Sequence, residues 1–153
     1  MIVGVISDTH GLLRPEAVAA LQGVDAILHG GDIGPEQILS DLERIAPVTA
    51  IRGNVDTAQW CAALPKTRVL TLAGVAIHML HDLKTLRADP VAEGYGVVIS
   101  GHSHKPLIER RDGVLYLNPG SAGRRRFRLP VTLARLDLRA ASAPQAELLT
   151  LDV

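Results

Sequence analysis

The chain has 153 residues, 47% of them hydrophobic, with sixteen basic residues matched by sixteen acidic ones and a single cysteine. That is enough chain for one domain with a real core, too balanced in charge to draw nucleic acid or an anionic membrane through a global field, and too poor in cysteine for an internal disulfide. Met1-Ile2-Val3-Gly4 has no basic leader and no apolar run approaches the roughly eighteen residues of a membrane span, so the expectation is one cytoplasmic domain over residues 1–153. Aromatic residues are few (Trp60, Tyr95, Tyr116, Phe127), which argues against a surface built on base stacking.

In chain order, the apolar run Ile2 to Ile6 predicts a buried strand that stops at Ser7-Asp8-Thr9-His10-Gly11. Arg14 to Leu21 predicts a short helix, with Pro15 near its start and Gly23 just past its end. Asp25 to His29 is a second strand, ending in Gly30-Gly31-Asp32; Pro35 to Ile45 is a second helix; Pro47 to Ile51 is a third strand, ending in Arg52-Gly53-Asn54-Val55-Asp56. Three strand–helix units in a row imply parallel pairing, with ligands gathered at the carboxyl ends of the strands. After Pro65 the rhythm changes. Arg68 to Ala73 and Val75 to His81 read as strands joined at Gly74, Ala88 to Tyr95 as a short helix, and Val97 to Ser100 as a strand running into Gly101-His102-Ser103-His104. The rest is mostly strand: Pro106 to Arg111, a hairpin turn at Asp112-Gly113, Val114 to Leu117, the turn Asn118 to Ser121, then Val131 to Leu138 and Ala146 to Val153. The simplest architecture is an α/β fold of two packed, mixed β-sheets flanked by helices.

Polar residues stand just beyond successive strands: Asp8 and His10, then Asp32, Asn54, His81, and finally His102 and His104. Strand ends on one sheet edge converge, so residues distant in sequence can share a centre. Carboxylate oxygen and imidazole nitrogen suit Mn, Fe, Zn or Ni, whereas a thiolate site would need cysteines that are missing. Seven oxygen and nitrogen donors are too many for one tetrahedral ion and suit two ions with a carboxylate between them.

Through Asp8-x-His10, Gly31-Asp32, Gly53-Asn54, His81, Gly101-His102-x-His104 and the Asn118-Pro119-Gly120-Ser121 turn, in that order, the chain resembles the calcineurin-like metallophosphoesterases, in particular their small single-domain branch of YfcE-type phosphodiesterases. The resemblance implies a sandwich of two β-sheets with helices outside and a two-metal site at the strand ends. By position, it implies that Asp8, His10, Asp32 and His104 hold one ion and that Asp32, Asn54, His81 and His102 hold the other, with Asp32 as the bridge. It further implies phosphodiester hydrolysis by in-line attack of a hydroxide held between the ions, with Asn54 stabilising charge on the phosphoryl oxygens. Mn is the first expectation for the metal, with Ni, Fe, Zn and Mg as alternatives. The rival readings are a phosphomonoesterase acting on a nucleotide or sugar phosphate, and a non-catalytic protein-interaction scaffold.

Two departures stand out. Many larger relatives carry His after the Gly-Asn pair to protonate the leaving group, and this chain has Val55; relatives commonly read His-Gly-His where this chain reads His81-Asp82-Leu83. Other polar residues have two readings each. His29 is either a donor behind the metal ligands or a hydrogen-bonded core imidazole, and Asp56 either orients a ligand or caps the next segment. Arg52 either contacts phosphate or forms an ion pair. His78, three residues before His81 in a strand, is expected on the opposite face. The cluster Arg124-Arg125-Arg126-Phe127-Arg128 rims the site, lines a homo-oligomer interface, or is simply solvated, and Cys61 is expected to be inert. The partner expected overall is a small phosphoester, without membrane or nucleic acid.

Overall fold

The computed structural model describes residues 1–153. Alternation along β1 (Ile2–Ile6) sets the layers. Val3 and Val5 enter a cluster with Ile77, Met79, Val97 and Ile99, while Ile6 enters another with Ala17, Leu21 and Leu42. The first cluster is the interior between two sheets. The second lies between one sheet and the helices α1 (Pro15–Ala20) and α2 (Gln37–Glu43).

The first sheet also contains β2 (Ala26–His29), β3 (Val48–Ala50), β9 (Thr132–Asp137) and β10 (Gln145–Thr150), in the order β10-β9-β1-β2-β3. β1, β2 and β3 are parallel, as the strand–helix rhythm predicts, with Val5 opposite Leu28 and Leu28 opposite Thr49. β9 returns antiparallel to β1, placing Ala134 opposite Val5. The second sheet is built from β4 (Thr67–Leu72), β5 (Val75–Leu80), β6 (Val97–Ile99), β7 (Leu107–Arg111) and β8 (Val114–Asn118), in the order β4-β5-β6-β8-β7. β5, β6 and β8 are parallel, and β4 and β7 close the edges antiparallel. The Asp112-Gly113 turn has φ of 52° and 80°, the left-handed pair that a two-residue hairpin needs.

The expected two-sheet α/β sandwich is therefore present, with smaller helices than the periodicity predicts. The element expected over residues 88–95 is one turn, α3 (Pro90–Glu93): Asp89 accepts from the N–H groups of Val91 and Ala92, and Gly94 closes it at φ 77°. α2 is trimmed at both ends from the expected 35–45, and no side chain caps it. The two flanks are also unequal. The outer face of the second sheet buries only Leu80, Val98, Val114 and Tyr116, under Leu83 and Leu86 from the segment after β5. No helix is long and apolar enough to cross a membrane.

Candidate metal centre

Each expected donor follows the carboxyl end of a parallel strand. Asp8 and His10 follow β1, Asp32 follows β2 and Asn54 follows β3, all from the first sheet; His81 follows β5, and His102 and His104 follow β6, from the second. Five of these seven residues hold left-handed backbone: Asp8 (φ 54°), His10 (46°), Asp32 (56°), His102 (67°) and His104 (61°). Such conformations cost about 1 to 3 kcal/mol each for residues with a side chain, and they persist where the surroundings over-determine them.

The surroundings are specific. Asp8 N donates to Gly31 O (3.0 Å) and His10 N to Asp32 O (2.9 Å), tying the first two loops together. Gly53 lies so close to Asp32 that any side chain there would collide with the Asp32 carboxylate and backbone. Asp56, buried behind these loops, accepts from Asp32 N (2.8 Å) and Gly53 N (2.7 Å) with Oδ2 and from Ile33 N (2.9 Å) with Oδ1. Asp56 thus caps no following segment; it holds the backbone of Asp32, one of the expected ligands, together with that of Ile33 and Gly53. The Asn118 amide donates to Gly101 O (2.9 Å), and the Ser121 hydroxyl donates to Asp8 O (3.0 Å). Sequence reasoning picked out the Asn118 to Ser121 turn without seeing that it fastens the His102 loop and the Asp8 loop.

At the centre, Asp8 Oδ2 accepts from the Ser7 hydroxyl (2.7 Å) and from His102 N (3.2 Å). Asp8 Oδ1 has no hydrogen-bond partner and faces three imidazoles: His104 Nε2 at 3.3 Å, His10 Nε2 at 3.8 Å and His81 Nε2 at 3.9 Å. Asp32 Oδ2 stands 3.1 Å from His81 Nε2 and 3.7 Å from His10 Nε2, while Asp32 Oδ1 accepts from Val55 N (3.0 Å). Two compact donor groups result, Asp8 with His10 and His104, and Asp8 with Asp32 and His81. His102 and Asn54 are exposed at the rim, and His102 Nε2 lies 3.8 Å from Asp82 Oδ2.

Charge balance follows from these contacts. Burial alone would raise the carboxyl pKa of Asp8, but His10, His104 and Ser7 hold it well below the ordinary range; Asp32 is likewise lowered by His81 and the Val55 N–H against the effect of burial. His10 is raised, chiefly by Asp8. Burial works against a charged His81, yet Asp32, the Gly30 carbonyl and Asp8 outweigh it and lift its pKa to about 9. His81 Nδ1 donates to Gly30 O (2.7 Å), which fixes the ring with Nε2 facing the carboxylates. A buried carboxylate oxygen, His10 Nε2 and His104 Nδ1 all lack a hydrogen-bond partner. Buried polar atoms left in this way are costly. Oxygen and imidazole donors so arranged fit a divalent cation of borderline hardness.

His29 sits behind this layer, completely buried. The Thr9 hydroxyl donates to Ile33 O (2.7 Å), so its oxygen accepts from His29 Nε2 (3.0 Å), and His29 Nδ1 accepts from Gly31 N (3.1 Å). Of its two readings the hydrogen-bonded core imidazole fits these contacts, which go to Thr9 and Gly31 and to none of the expected ligands. Burial pushes its pKa down to about 4. In the unfolded chain it takes a proton near pH 6.5, so between about 6.5 and 4 the unfolded state binds more protons and stability falls as pH falls. The expected loss is on the order of 3 kcal/mol by pH 4. Urea unfolding across that window tests this, and the His29→Asn protein should lack that share of the slope.

The remaining residues fall away from the centre. His78 stacks on Tyr95 with ring centroids 5.0 Å apart, as a residue of the opposite face would. Cys61 is buried, and burial raises its thiol pKa, in keeping with an inert role. Arg52 is in none of the ion pairs, which removes one of its two readings. Arg126 lies near enough to His10 to oppose its protonation, and Phe127 projects into solvent at 89% exposure.

A sandwich of mixed sheets with carboxylates and imidazoles at its strand ends is the architecture of a metal-dependent phosphoesterase. Residues 1–141 match the calcineurin-like phosphoesterase superfamily domain, and the chain belongs to that family of metal-dependent enzymes. A probable metallophosphoesterase of Methanothermobacter thermautotrophicus is 38% identical over 133 residues, covering 79% of this chain and 77% of that one. A phosphodiesterase of Methanocaldococcus jannaschii is 28% identical over 139 residues, covering 78% of this chain and 83% of its own length. Among solved structures, Vps29 of Entamoeba histolytica complexed with zinc shares the fold at a TM-score of 0.75 and 21% identity, over 98% of this chain and 99% of that one.

Proposed function

We propose that this protein is a dinuclear metal-dependent phosphodiesterase that cleaves small phosphodiesters by in-line displacement. The observation that carries the reading is Asp8 Oδ1, a buried carboxylate oxygen without a hydrogen-bond partner, ringed by three imidazole nitrogens at 3.3 to 3.9 Å. Asp8, His10, Asp32 and His104 would hold one ion, and Asp32, Asn54, His81 and His102 the other. Asp32 suits the shared position because its Oδ2 lies between His81 and His10. When bound, two divalent ions, with Mn as the first choice, supply a water activated near neutral pH and positive charge on both reacting oxygens.

The chain's own residues do the rest. The Gly30 carbonyl keeps His81 Nε2 turned inward, and Ser7 and the His102 N–H hold Asp8 in place. Asn54, exposed and lining the same cleft as His81, can donate its amide N–H to a phosphoryl oxygen as charge builds there. Val55 is 55% exposed and offers no proton, so the departing alcohol leaves without a general acid from this position. Good leaving groups should be strongly favoured. The relative named a phosphodiesterase supports the diester reading.

The test is hydrolysis of bis(4-nitrophenyl) phosphate and 4-nitrophenyl phosphate by metal-stripped protein reloaded with Mn, Ni, Mg or Zn, with bound metal counted in parallel. Diester turnover restored at two ions per chain is expected. Preference for the monoester would make the protein a phosphatase, and no turnover with two ions bound would favour the scaffold reading.

A further inference from the structure

Beside the metal centre a cleft of about 710 Å³ opens between the segment after β3 and the segment after β5, and Asn54 and His81 form part of its wall. That volume suits a small-molecule site, yet only three of its fourteen lining residues are hydrophobic, and the His81 imidazole is the one aromatic ring among them. Thr57, Gln59 and Thr67 line it, offering hydroxyl and amide groups, together with Thr85, whose hydroxyl donates to Asp82 O. Two cations also line it, Arg52 and Lys66, and the Arg52 backbone N–H donates to Pro65 O (2.8 Å), which joins the two segments that carry them. Neither belongs to an ion pair, and Arg52 Nε is buried without a hydrogen-bond partner.

The carboxylates nearby leave these cations free. Both oxygens of Asp56 are taken by three backbone N–H groups, and Asp82 accepts from Lys84 N and faces His102. A buried guanidinium donor without an acceptor is unfavourable until an acceptor arrives, and guanidinium geometry matches phosphate and carboxylate oxygens.

We infer that this cleft seats one ester arm of the substrate, and that this arm is a small polar alcohol carrying its own anionic group, held by Arg52 and Lys66. The inference rests on the phosphodiesterase reading and adds the substrate class to it. With one phosphoryl group at the metal centre, the arm passes Asn54 and His81 into the cleft. The hydroxyl-rich wall meets its polar body, and the second anion reaches the two cations.

The experiment uses a matched pair of 4-nitrophenyl phosphodiesters whose second alcohol is ethylene glycol capped at its far oxygen, as the methyl ether in one and as the monophosphate in the other. With no free hydroxyl to attack phosphorus from within, water displaces 4-nitrophenolate in each, so one absorbance reads both. Wild-type, metal-loaded protein should show a higher kcat/KM on the phosphate-bearing ester by about tenfold or more, the scale of one charge-assisted contact. Arg52→Met should bring the ratio of the two esters to about one, Arg52→Lys should restore part of it, and the exposed Lys66→Met should lower it. A wild-type ratio near one, or a ratio indifferent to Arg52→Met, overturns the inference while turnover of the glycol ester upholds the phosphodiesterase reading. Hydrolysis of neither ester by metal-loaded protein overturns both.

Discussion

Asp32→Asn should lower metal-dependent kcat/KM by at least about 10³-fold, the scale at which removing one member of a catalytic unit disables the whole. The substitution keeps the shape of the side chain, and its amide oxygen can still accept from Val55 N, which Asp32 Oδ1 does at 3.0 Å. It removes the negative charge and leaves one oxygen instead of two. The nitrogen that replaces the second oxygen would stand between His81 and His10, where Asp32 Oδ2 is 3.1 Å and 3.7 Å from their Nε2 atoms. An amide nitrogen offers no lone pair to an ion. Bound metal should therefore drop from two ions per chain, while urea unfolding of the metal-stripped variant and wild type differs little. Metal counting beside nitrophenolate release checks this, and a variant with full activity and two bound ions would remove Asp32 from the proposed bridge.

Asp56→Ala should destabilise the fold by roughly 2 to 6 kcal/mol, because two buried N–H donors and a third, partly buried one lose their acceptor at once. The donors belong to Asp32, Ile33 and Gly53, so this carboxylate fastens the β2 loop to the β3 loop. Against a typical total of about 5 to 15 kcal/mol, that loss would leave a marginal protein. Asp56→Asn is the milder variant. Its single oxygen can serve Asp32 N and Gly53 N, the two donors that share Oδ2, and only Ile33 N then meets an amide nitrogen. Urea midpoints should rank wild type above Asn and Asn above Ala, and equal midpoints for all three would show that the clamp contributes nothing.

The sheet architecture and the strand-end donors were legible because both follow from period-2 burial and from the point at which each apolar run stops. Val3, Val5, Leu28, Ile77 and Ile99 announce the interior, and Asp8, Asp32, His81 and His102 follow its strands. What lay beyond reach came from contacts between distant segments. Nothing local tells that Asp56 reaches back 23 and 24 residues to Ile33 and Asp32, or that the Asn118 amide pins Gly101. The left-handed backbone at five donors is equally silent in the sequence, since Asp and His visit it only where tertiary contacts impose it. The short α3 was overread because apolar residues continue past Gly94, while the caps at Asp89 and Gly94 limit the helix.

The division of donors between the sheets has a mechanical consequence. Asp8, His10, Asp32 and Asn54 ride on the first sheet, and His81, His102 and His104 on the second, so the ions of the proposed centre would act as rivets through the seam of the sandwich. Prising the layers apart would mean surrendering the cargo. On the proposed function, endurance of the whole fold would thereby be tied to metal supply, and a cell short of the cation would lose the scaffold's firmness together with its chemistry.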